Sequence, residues 1–175
     1  VDKEEIGSVG ATGMRSMFYE NTVAEICRLE GEDSLVALRR AFSNSKMLSS
    51  DVNAAYDPLY ASVMDKRNSS YLARGLVFCK YTGARGKSSS NDADAEFIAE
   101  LRNVIDSENV SYQLSELGKV DAGGGGTIAY ILANYDVKVI DGGVAVLNMH
   151  APYEVTSKVD IYEAYRGYLA FLMKA

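Results

Sequence analysis

Four side chains in this sequence are of the types that bind a metal ion and move a proton, and each stands at a predicted strand end. Glu4 and Glu5 are adjacent carboxylates, Asp51 follows the segment MLSS, and His150, the sequence's one histidine, follows the apolar run VAVLNM. Because adjacent strand residues point to opposite faces, one carboxylate of the pair can bind a metal while the other faces a bound water. This arrangement is typical of metal-assisted hydrolysis.

Each of these residues also has an ordinary structural explanation. Paired carboxylates such as Glu4 and Glu5 are common on solvated surfaces, and a lone histidine is more often structural than a ligand. An aspartate after a strand, such as Asp51, is a common turn or helix-capping residue. The metal hypothesis therefore depends on the four residues being considered together.

The apolar periodicity predicts the elements that position these residues. Helices are predicted over residues 14–29, 92–105, 127–134 and 160–173, with another after a cap at Asp33 or Ser34. Strands are predicted over 46–52, 76–81, 111–116, 137–140 and 144–147, with a strand end at 1–6, and loops over 53–70, 82–91 and 119–126. The alternation favours one α/β domain, with a mostly parallel central sheet and helices on both faces. Function in such sheets sits at the carboxyl ends of the strands.

The glycine run GGGG at 123–126 precedes a predicted helix, and its backbone amides can hold an anion or a developing oxyanion. A phosphate-binding loop would continue with lysine, but Thr127 follows Gly126. Nucleotide binding is therefore weakly supported.

Composition limits the class of partner. The formal net charge of the 175 residues is −6, which argues against nucleic acid and against anionic membrane surfaces. No apolar run is long enough to span a membrane. Cys27 and Cys79 lie in apolar contexts and predict free, buried thiols. We therefore expect a reducing, cytoplasmic location.

Several short motifs occur in a specific order along nearly the whole chain. They are DKEEIGS at 2–8, SDVNAA at 50–55, KY at 80–81, DAGGGGTI at 121–128 and VLNMHA at 146–151. The ordered set resembles the M18 family of metallo-aminopeptidases, the aspartyl aminopeptidase and vacuolar aminopeptidase group. The stretch 119–158 resembles its bacterial branch most closely.

The resemblance implies a zinc-exopeptidase-like fold, a peptide substrate and a role for each site residue. Glu4 is the implied general base, Glu5 and His150 the implied ligands of one zinc, and Asp51 a ligand of a second. The resemblance also implies substrate-binding positions, which are Asp57, Lys80, Gly126 and Thr127.

The family's zinc pair also needs a second histidine and a bridging aspartate, which we expect upstream of Val1. The resemblance therefore predicts that residues 1–175 are the C-terminal portion of a catalytic domain, without the upstream segment and the inserted assembly domain. We expect the full-length protein to be a two-zinc aminopeptidase and a homo-oligomer, a dodecamer by resemblance. We expect the isolated chain to be inactive, with one weakly held zinc or none. The alternative is a non-catalytic fold unit or oligomerisation module that retains the scaffold.

One position departs from the pattern of acid-selective members, which carry histidine six residues after the metal-binding aspartate. Here that position is Asp57. A carboxylate there would repel acidic substrate side chains and attract Lys or Arg, unless a cation such as Lys80 neutralises it. Its ordinary explanation is a turn residue before Pro58.

Overall fold

The structure, a computed structural model, describes residues 8–85 and 88–175. Its elements follow in chain order. They are α1 (Phe18–Leu29), α2 (Leu35–Ser43), β1 (Lys46–Ser49), β2 (Asn53–Ala54), a 3-10 helix (Pro58–Val63), β3 (Leu76–Cys79), β4 (Tyr81–Ala84), β5 (Ser88–Asp92), α3 (Ala95–Ser107), β6 (Tyr112–Ser115), α4 (Ala129–Ala133), β7 (Lys138–Gly143), β8 (Ala145–Leu147), β9 (Val155–Thr156) and α5 (Lys158–Lys174). The prediction of an α/β fold is confirmed.

The central sheet has the strand order β1-β7-β3-β6. β1 is parallel to β7 and β3 is parallel to β6, whereas β3 and β7 are antiparallel. The sheet is thus mostly parallel, as predicted from the sequence. The direction changes between its two central strands, and the carboxyl-terminal residues of β1, β3 and β6 meet at the row of Asp141 in β7.

Helices cover both faces of the sheet because side chains alternate along each strand. Leu48, Phe78 and Ile140 face α3 and α5 and join the larger hydrophobic core. Met47 and Val139 face the other way and pack with α1, α2 and α4. The sheet is therefore buried on both sides, which explains the apolar runs that predict its strands.

Two strands continue beyond the central sheet in a second ladder. β2 follows β1 after a short link and pairs in parallel with β8, which in turn pairs with β9. Asp51 lies in the link between β1 and β2, and His150 lies between β8 and β9. Both candidate ligands therefore lie in connections of this second ladder.

Helix α5 is fixed to the sheet by two buried carboxylates. Both oxygens of Asp160 accept backbone N–H groups, from Ala73 at 2.8 Å and from Gly75 at 2.7 Å. Glu163 Oε2 accepts the N–H of Ser111 at 2.6 Å. These contacts satisfy donors next to the starts of β3 and β6 and align the helix with both strands.

Several local predictions from the sequence are wrong. Residues 82–91, predicted as a loop, lie largely within the antiparallel hairpin of β4 and β5. Residues 53–70, also predicted as a loop, contain β2 and the 3-10 helix. The predicted strand 76–81 is divided at Lys80, and the helix predicted from Met14 begins at Phe18. The predicted cap at Ser34 is confirmed, because its hydroxyl accepts the N–H of Ala37 at 3.0 Å.

Among the residues described, no helix combines the length and apolar character needed to cross a bilayer. Both cysteines are free, but only Cys79 is buried. The sequence-based prediction of burial is therefore wrong for Cys27, which is partly exposed on α1.

Candidate functional site

Asp51 occupies the link between β1 and β2, where it is half-buried. Its Oδ1 accepts the N–H of Val52 at 2.8 Å. The link passes against Gly143, where an added Cβ would lie 1.8 Å from the carbonyl oxygen of Asp51. A glycine at 143 therefore lets the two backbones approach and sets the position of Asp51.

His150 lies in the tight connection after β8. Its φ of 65° places it in the left-handed region, and the N–H of Ala151 donates to Asn148 O at 2.9 Å across the same turn. The backbone N–H of His150 donates to a carboxylate oxygen of Glu154. These contacts fix the backbone of His150, and the residue itself is exposed.

One row of residues across the central sheet, which begins at Ser49 two positions before Asp51, is polar and buried. Ser49, Asp141, Cys79 and Ser115 lie directly opposite one another across β1, β7, β3 and β6. Asp141 is only 3% exposed, in the middle of this row. Its Oδ2 accepts the hydroxyl of Thr127 at 3.0 Å.

Burial sets the proton affinity of this row. It raises the pKa of Asp141 to about 6, although the hydroxyls of Ser49 and Thr127 favour the charged form. Burial also raises the pKa of the Cys79 thiol to about 12, and the negative charge of Asp141 adds to that effect. The charge of Asp51 raises both pKa values further, so Asp51 is electrostatically coupled to both.

A tyrosine from α5 joins the ends of β1 and β7. The hydroxyl of Ser50 donates to Tyr168 Oη at 2.9 Å, and Tyr168 in turn donates to the carbonyl oxygen of Gly142 at 2.9 Å. Burial raises the pKa of Tyr168. The phenol therefore remains protonated near neutral pH and can donate to Gly142.

The glycine loop 119–126 lies along β4 and accepts hydrogen bonds from it. The N–H of Gly83 donates to Gly125 O at 3.0 Å, and the N–H of Arg85 donates to Gly123 O at 2.9 Å. Gly124 has a φ of +94°, and its added Cβ would lie 2.6 Å from Gly83 O. Glycine is required there for both conformation and close approach.

The loop presents donors where it is not bonded to β4. Within the described part of the chain, the N–H groups of Gly126 and Thr127 donate to no protein acceptor. Helix α4 begins at Ala129, whose N–H donates to Thr127 Oγ1 at 3.2 Å. The helix is thus shorter than the predicted 127–134, and Gly126 and Thr127 belong to the loop.

The two other predicted substrate-binding residues have local partners. Asp57 Oδ1 accepts the N–H of Leu59 at 2.8 Å and caps the 3-10 helix. Lys80 forms an ion pair with Asp92 across the base of the hairpin, where both side chains are more than half exposed. The structural explanation of Asp57 is therefore present, and it leaves the carboxylate's charge available to act on a substrate.

The predicted metal ligands are only partly among the described residues. Glu4 and Glu5 lie outside them, so their predicted roles as base and ligand remain predictions. Within residues 8–85 and 88–175, no group of three His, Cys, Asp or Glu side chains is close enough to hold a metal. Asp51 and His150 have the carboxylate and imidazole donors that zinc takes, and Glu5 would supply the next one.

Asp141 belongs to this neighbourhood but is not among the site residues predicted from the sequence. The available signal was a single carboxylate inside the run VKVIDGGVAVL, which is otherwise almost wholly apolar or glycine. A charged residue within a buried strand is rare unless it has partners. Its partners Ser49 and Thr127 lie far from it in sequence, so the pattern alone does not identify them.

Comparison with known proteins matches the chain to the family model of aminopeptidase I zinc metalloproteases (M18) over residues 1–172. A probable M18 family aminopeptidase 1 from Clostridium acetobutylicum is 64% identical over 98% of this chain and 37% of its own length. Its counterpart from Thermotoga maritima is 46% identical over 99% of this chain and 39% of its own length. The chain thus spans less than two fifths of these relatives.

Solved structures agree with the sequence match. The crystal structure of the Thermotoga maritima M18 aminopeptidase covers 99% of this chain with a TM-score of 0.92, at 45% identity and over 39% of that chain. The Saccharomyces cerevisiae mApe1 dodecamer, at 22% identity and a TM-score of 0.73, covers 98% of this chain and 36% of its own and shares the fold. These matches confirm the resemblance predicted from the motifs, and the chain belongs to the M18 family of zinc metalloproteases.

Proposed function

We propose that the full-length protein that carries this chain is a zinc-dependent aminopeptidase, which removes unblocked N-terminal residues from peptides. The observation that carries the proposal is the family match over residues 1–172, which includes the segments of Glu4, Glu5, Asp51 and His150. The sheet supports it by placing Asp51 in the link after β1 and His150 in the connection after β8. Such connections are the usual position of active-site residues in α/β sheets.

Each residue has a defined part in this proposal. Glu5 and His150 would hold one zinc ion and Asp51 a second, each with further ligands from the rest of the protein. Zinc held there would polarise the scissile carbonyl and lower the pKa of a water molecule. Glu4 would accept a proton from the attacking water and pass it to the leaving amine.

The glycine loop binds the substrate backbone in this proposal. The N–H groups of Gly126 and Thr127, which have no acceptor among the described residues, are suited to carbonyl oxygens of an extended peptide. Such donors also stabilise negative charge that develops on an oxygen. The loop conformation that exposes them depends on glycine at 124 and on the bonds to β4.

The charge of Asp57 favours substrates with N-terminal Lys or a neutral residue over Asp or Glu. Lys80 forms an ion pair with Asp92 rather than with Asp57, so the carboxylate at 57 is not neutralised by Lys80. A carboxylate near the first side chain of the substrate repels another carboxylate.

We also propose that the full-length protein is a cytoplasmic homo-oligomer and that residues 1–175 alone are inactive. Support for assembly comes from the dodecamer of the yeast relative with the same fold. Support for inactivity comes from the sequence, which contains one histidine where the family's zinc pair, by resemblance, needs two. Support for a reducing compartment comes from the two free cysteines.

The proposal is tested on the full-length protein by measuring bound zinc and the hydrolysis of aminoacyl p-nitroanilides before and after chelation. We expect stoichiometric zinc, hydrolysis that is lost with the metal and restored by zinc, and no hydrolysis of N-acetylated substrates. A folded full-length protein that binds zinc without hydrolysing any of the panel would contradict the enzymatic function. That result would favour the non-catalytic scaffold instead.

A further inference from the structure

Asp141 is a buried carboxyl group without a described cationic partner. It is 3% exposed and lies between Ile140 and Gly142 in the centre of the sheet. None of the ion pairs among the described residues includes it, and its neighbours Ser49, Thr82 and Thr127 offer hydroxyls. Burying a carboxylate without a counter-charge costs free energy of folding. The presence of Asp141 at this position therefore indicates a role other than stabilising the fold.

The hydroxyl of Thr127 connects Asp141 to the glycine loop. It donates its single proton to Asp141 Oδ2 at 3.0 Å and accepts the N–H of Ala129 at 3.2 Å. The hydroxyl therefore uses its one donor and one of its acceptor lone pairs, and these two bonds fix the side chain and the backbone that carries it.

This bond lies where the backbone contacts of the loop end. The N–H groups of Gly83 and Arg85 donate to the carbonyl oxygens of Gly125 and Gly123, but no such bond is present at Gly126 or Thr127 among the described residues. An added Cβ at Gly126 would lie 2.8 Å from the Ser89 Cβ. The contact between Thr127 and Asp141 thus joins the last part of the loop to the central sheet.

We propose that Asp141 is a positioning residue, which holds Thr127 against the sheet and thereby sets the direction of the Gly126 and Thr127 N–H groups toward a peptide substrate. The inference rests on the proposed aminopeptidase function. In this inference, a residue in the interior of the sheet sets the conformation of the substrate-binding loop. A carboxylate suits this task because a hydrogen bond to a charged or partly charged acceptor is stronger than one to a neutral acceptor.

The test uses the full-length, zinc-loaded protein and the substitution Thr127→Val, which removes the hydroxyl and nearly preserves the shape. We expect KM for a dipeptide p-nitroanilide to rise roughly tenfold, as for the loss of one charge-assisted hydrogen bond, with a smaller change in kcat and unchanged zinc content. Thr127→Ser should restore most of the lost affinity. Asp141→Ala combined with Thr127→Val should cost no more in KM than the larger single effect.

Thr82→Val is the matched control, because Thr82 is another buried hydroxyl beside Asp141 but lies on β4. It should leave KM unchanged. If Thr82→Val raised KM as much as Thr127→Val, a general loss of packing would be responsible and the inference would be overturned. A wild-type KM in the folded Thr127→Val protein would overturn it as well.

Amide hydrogen exchange tests this inference independently of aminopeptidase activity. The Gly83 and Arg85 amides donate to the glycine loop, so their protection reports whether the loop stays in place. We expect Thr127→Val to lower their protection in the substrate-free protein. Unchanged protection would overturn the inference even if the protein is an aminopeptidase. Absence of hydrolysis by the wild-type protein would overturn both the proposed function and the substrate-binding role, whatever the exchange result.

Discussion

The carbonyl oxygen of Asp51 lies where a side chain at Gly143 would have to begin, 1.8 Å from an added Cβ. Asp51 lies in the link between β1 and β2, and Gly143 is the last residue of β7. This approach is between backbones, so no rotamer change can relieve a collision. The identity of residue 143 therefore determines where a candidate metal ligand lies.

Replacing Gly143 with alanine should displace Asp51 and weaken zinc binding. We expect destabilisation of roughly 1–3 kcal/mol from overpacking, together with a rise in the zinc dissociation constant measured by chelator competition. Gly31→Ala is the control for contact, since no atom lies within 4 Å of an added Cβ at Gly31, although Gly31, unlike Gly143, has a positive φ. It should cost about 1 kcal/mol of strain and leave zinc affinity unchanged. Equal zinc affinity in Gly143→Ala and wild type would contradict the proposed role of Asp51.

Glu4→Gln and Glu5→Gln should affect the full-length enzyme in different ways. Glu4→Gln should retain zinc and lose activity by about 10²–10⁴-fold, because general-base catalysis has that magnitude. Glu5→Gln should lose zinc, because the substitution replaces a carboxylate ligand with a neutral amide. Metal analysis and kcat measured on the same preparations decide between the roles. If the two variants match in zinc content and activity, the assignment of base and ligand is wrong.

Asp57 should influence substrate choice through its charge and stability through its cap. Full-length enzyme should cleave N-terminal Lys or neutral residues faster than Asp or Glu, and Asp57→His should shift the ratio of kcat/KM toward acidic residues. The shift should correspond to roughly 1–3 kcal/mol of discrimination. Asp57→Asn is the control for capping, because its side-chain oxygen can still accept the Leu59 N–H. A wild-type preference for Asp or Glu at fixed zinc and pH would refute the assignment.

Asp141 should lower the stability of the folded state as the pH rises. Its pKa in the folded protein is raised to about 6 from 3.8, so between these values the folded state binds more protons than the unfolded state. Wild type should therefore lose on the order of 2–3 kcal/mol from this group as the pH increases from 4 to 7. Asp141→Asn should lack this loss. Urea unfolding of both proteins at pH 4 and pH 7 measures the difference, and parallel pH profiles would contradict it.

Asp160 should be among the most destabilising positions to change. Asp160→Ala leaves the N–H groups of Ala73 and Gly75 without their acceptors in a fully buried position. We expect a cost of roughly 2–5 kcal/mol in urea unfolding. Asp106→Asn on the exposed face of α3 is the control and should stay within about 0.5 kcal/mol of wild type. A similar small effect of Asp160→Ala would show that the contact with α5 is not required.

Local patterns in the sequence were sufficient for much of the fold. The apolar periodicity identified α3 and α5, the short apolar runs identified β3 and β7, and Ser34 was recognised as a possible cap. These features depend on neighbouring residues, whose spacing sets one buried face or one satisfied N–H group. The ordered motifs also identified the family, because their combination along the chain is far more specific than any one of them.

Tertiary structure determined the strand pairings and side-chain contacts that join residues far apart in the sequence. Residues 88–92 form a strand despite the polar run SSSND, because β4 pairs with it along its length. Asp141 of β7 interacts with Ser49 of β1 and with Thr127 of the glycine loop. The carboxylate of Asp160 on α5 accepts the N–H of Gly75, just before β3. Cross-strand pairing and burial supply the free energy in each case, and neither can be read from local spacing. The sequence by itself determined the family and the types of metal-binding side chain that are present, whereas only the fold brings the buried carboxylate of Asp141 to Thr127 of the glycine loop.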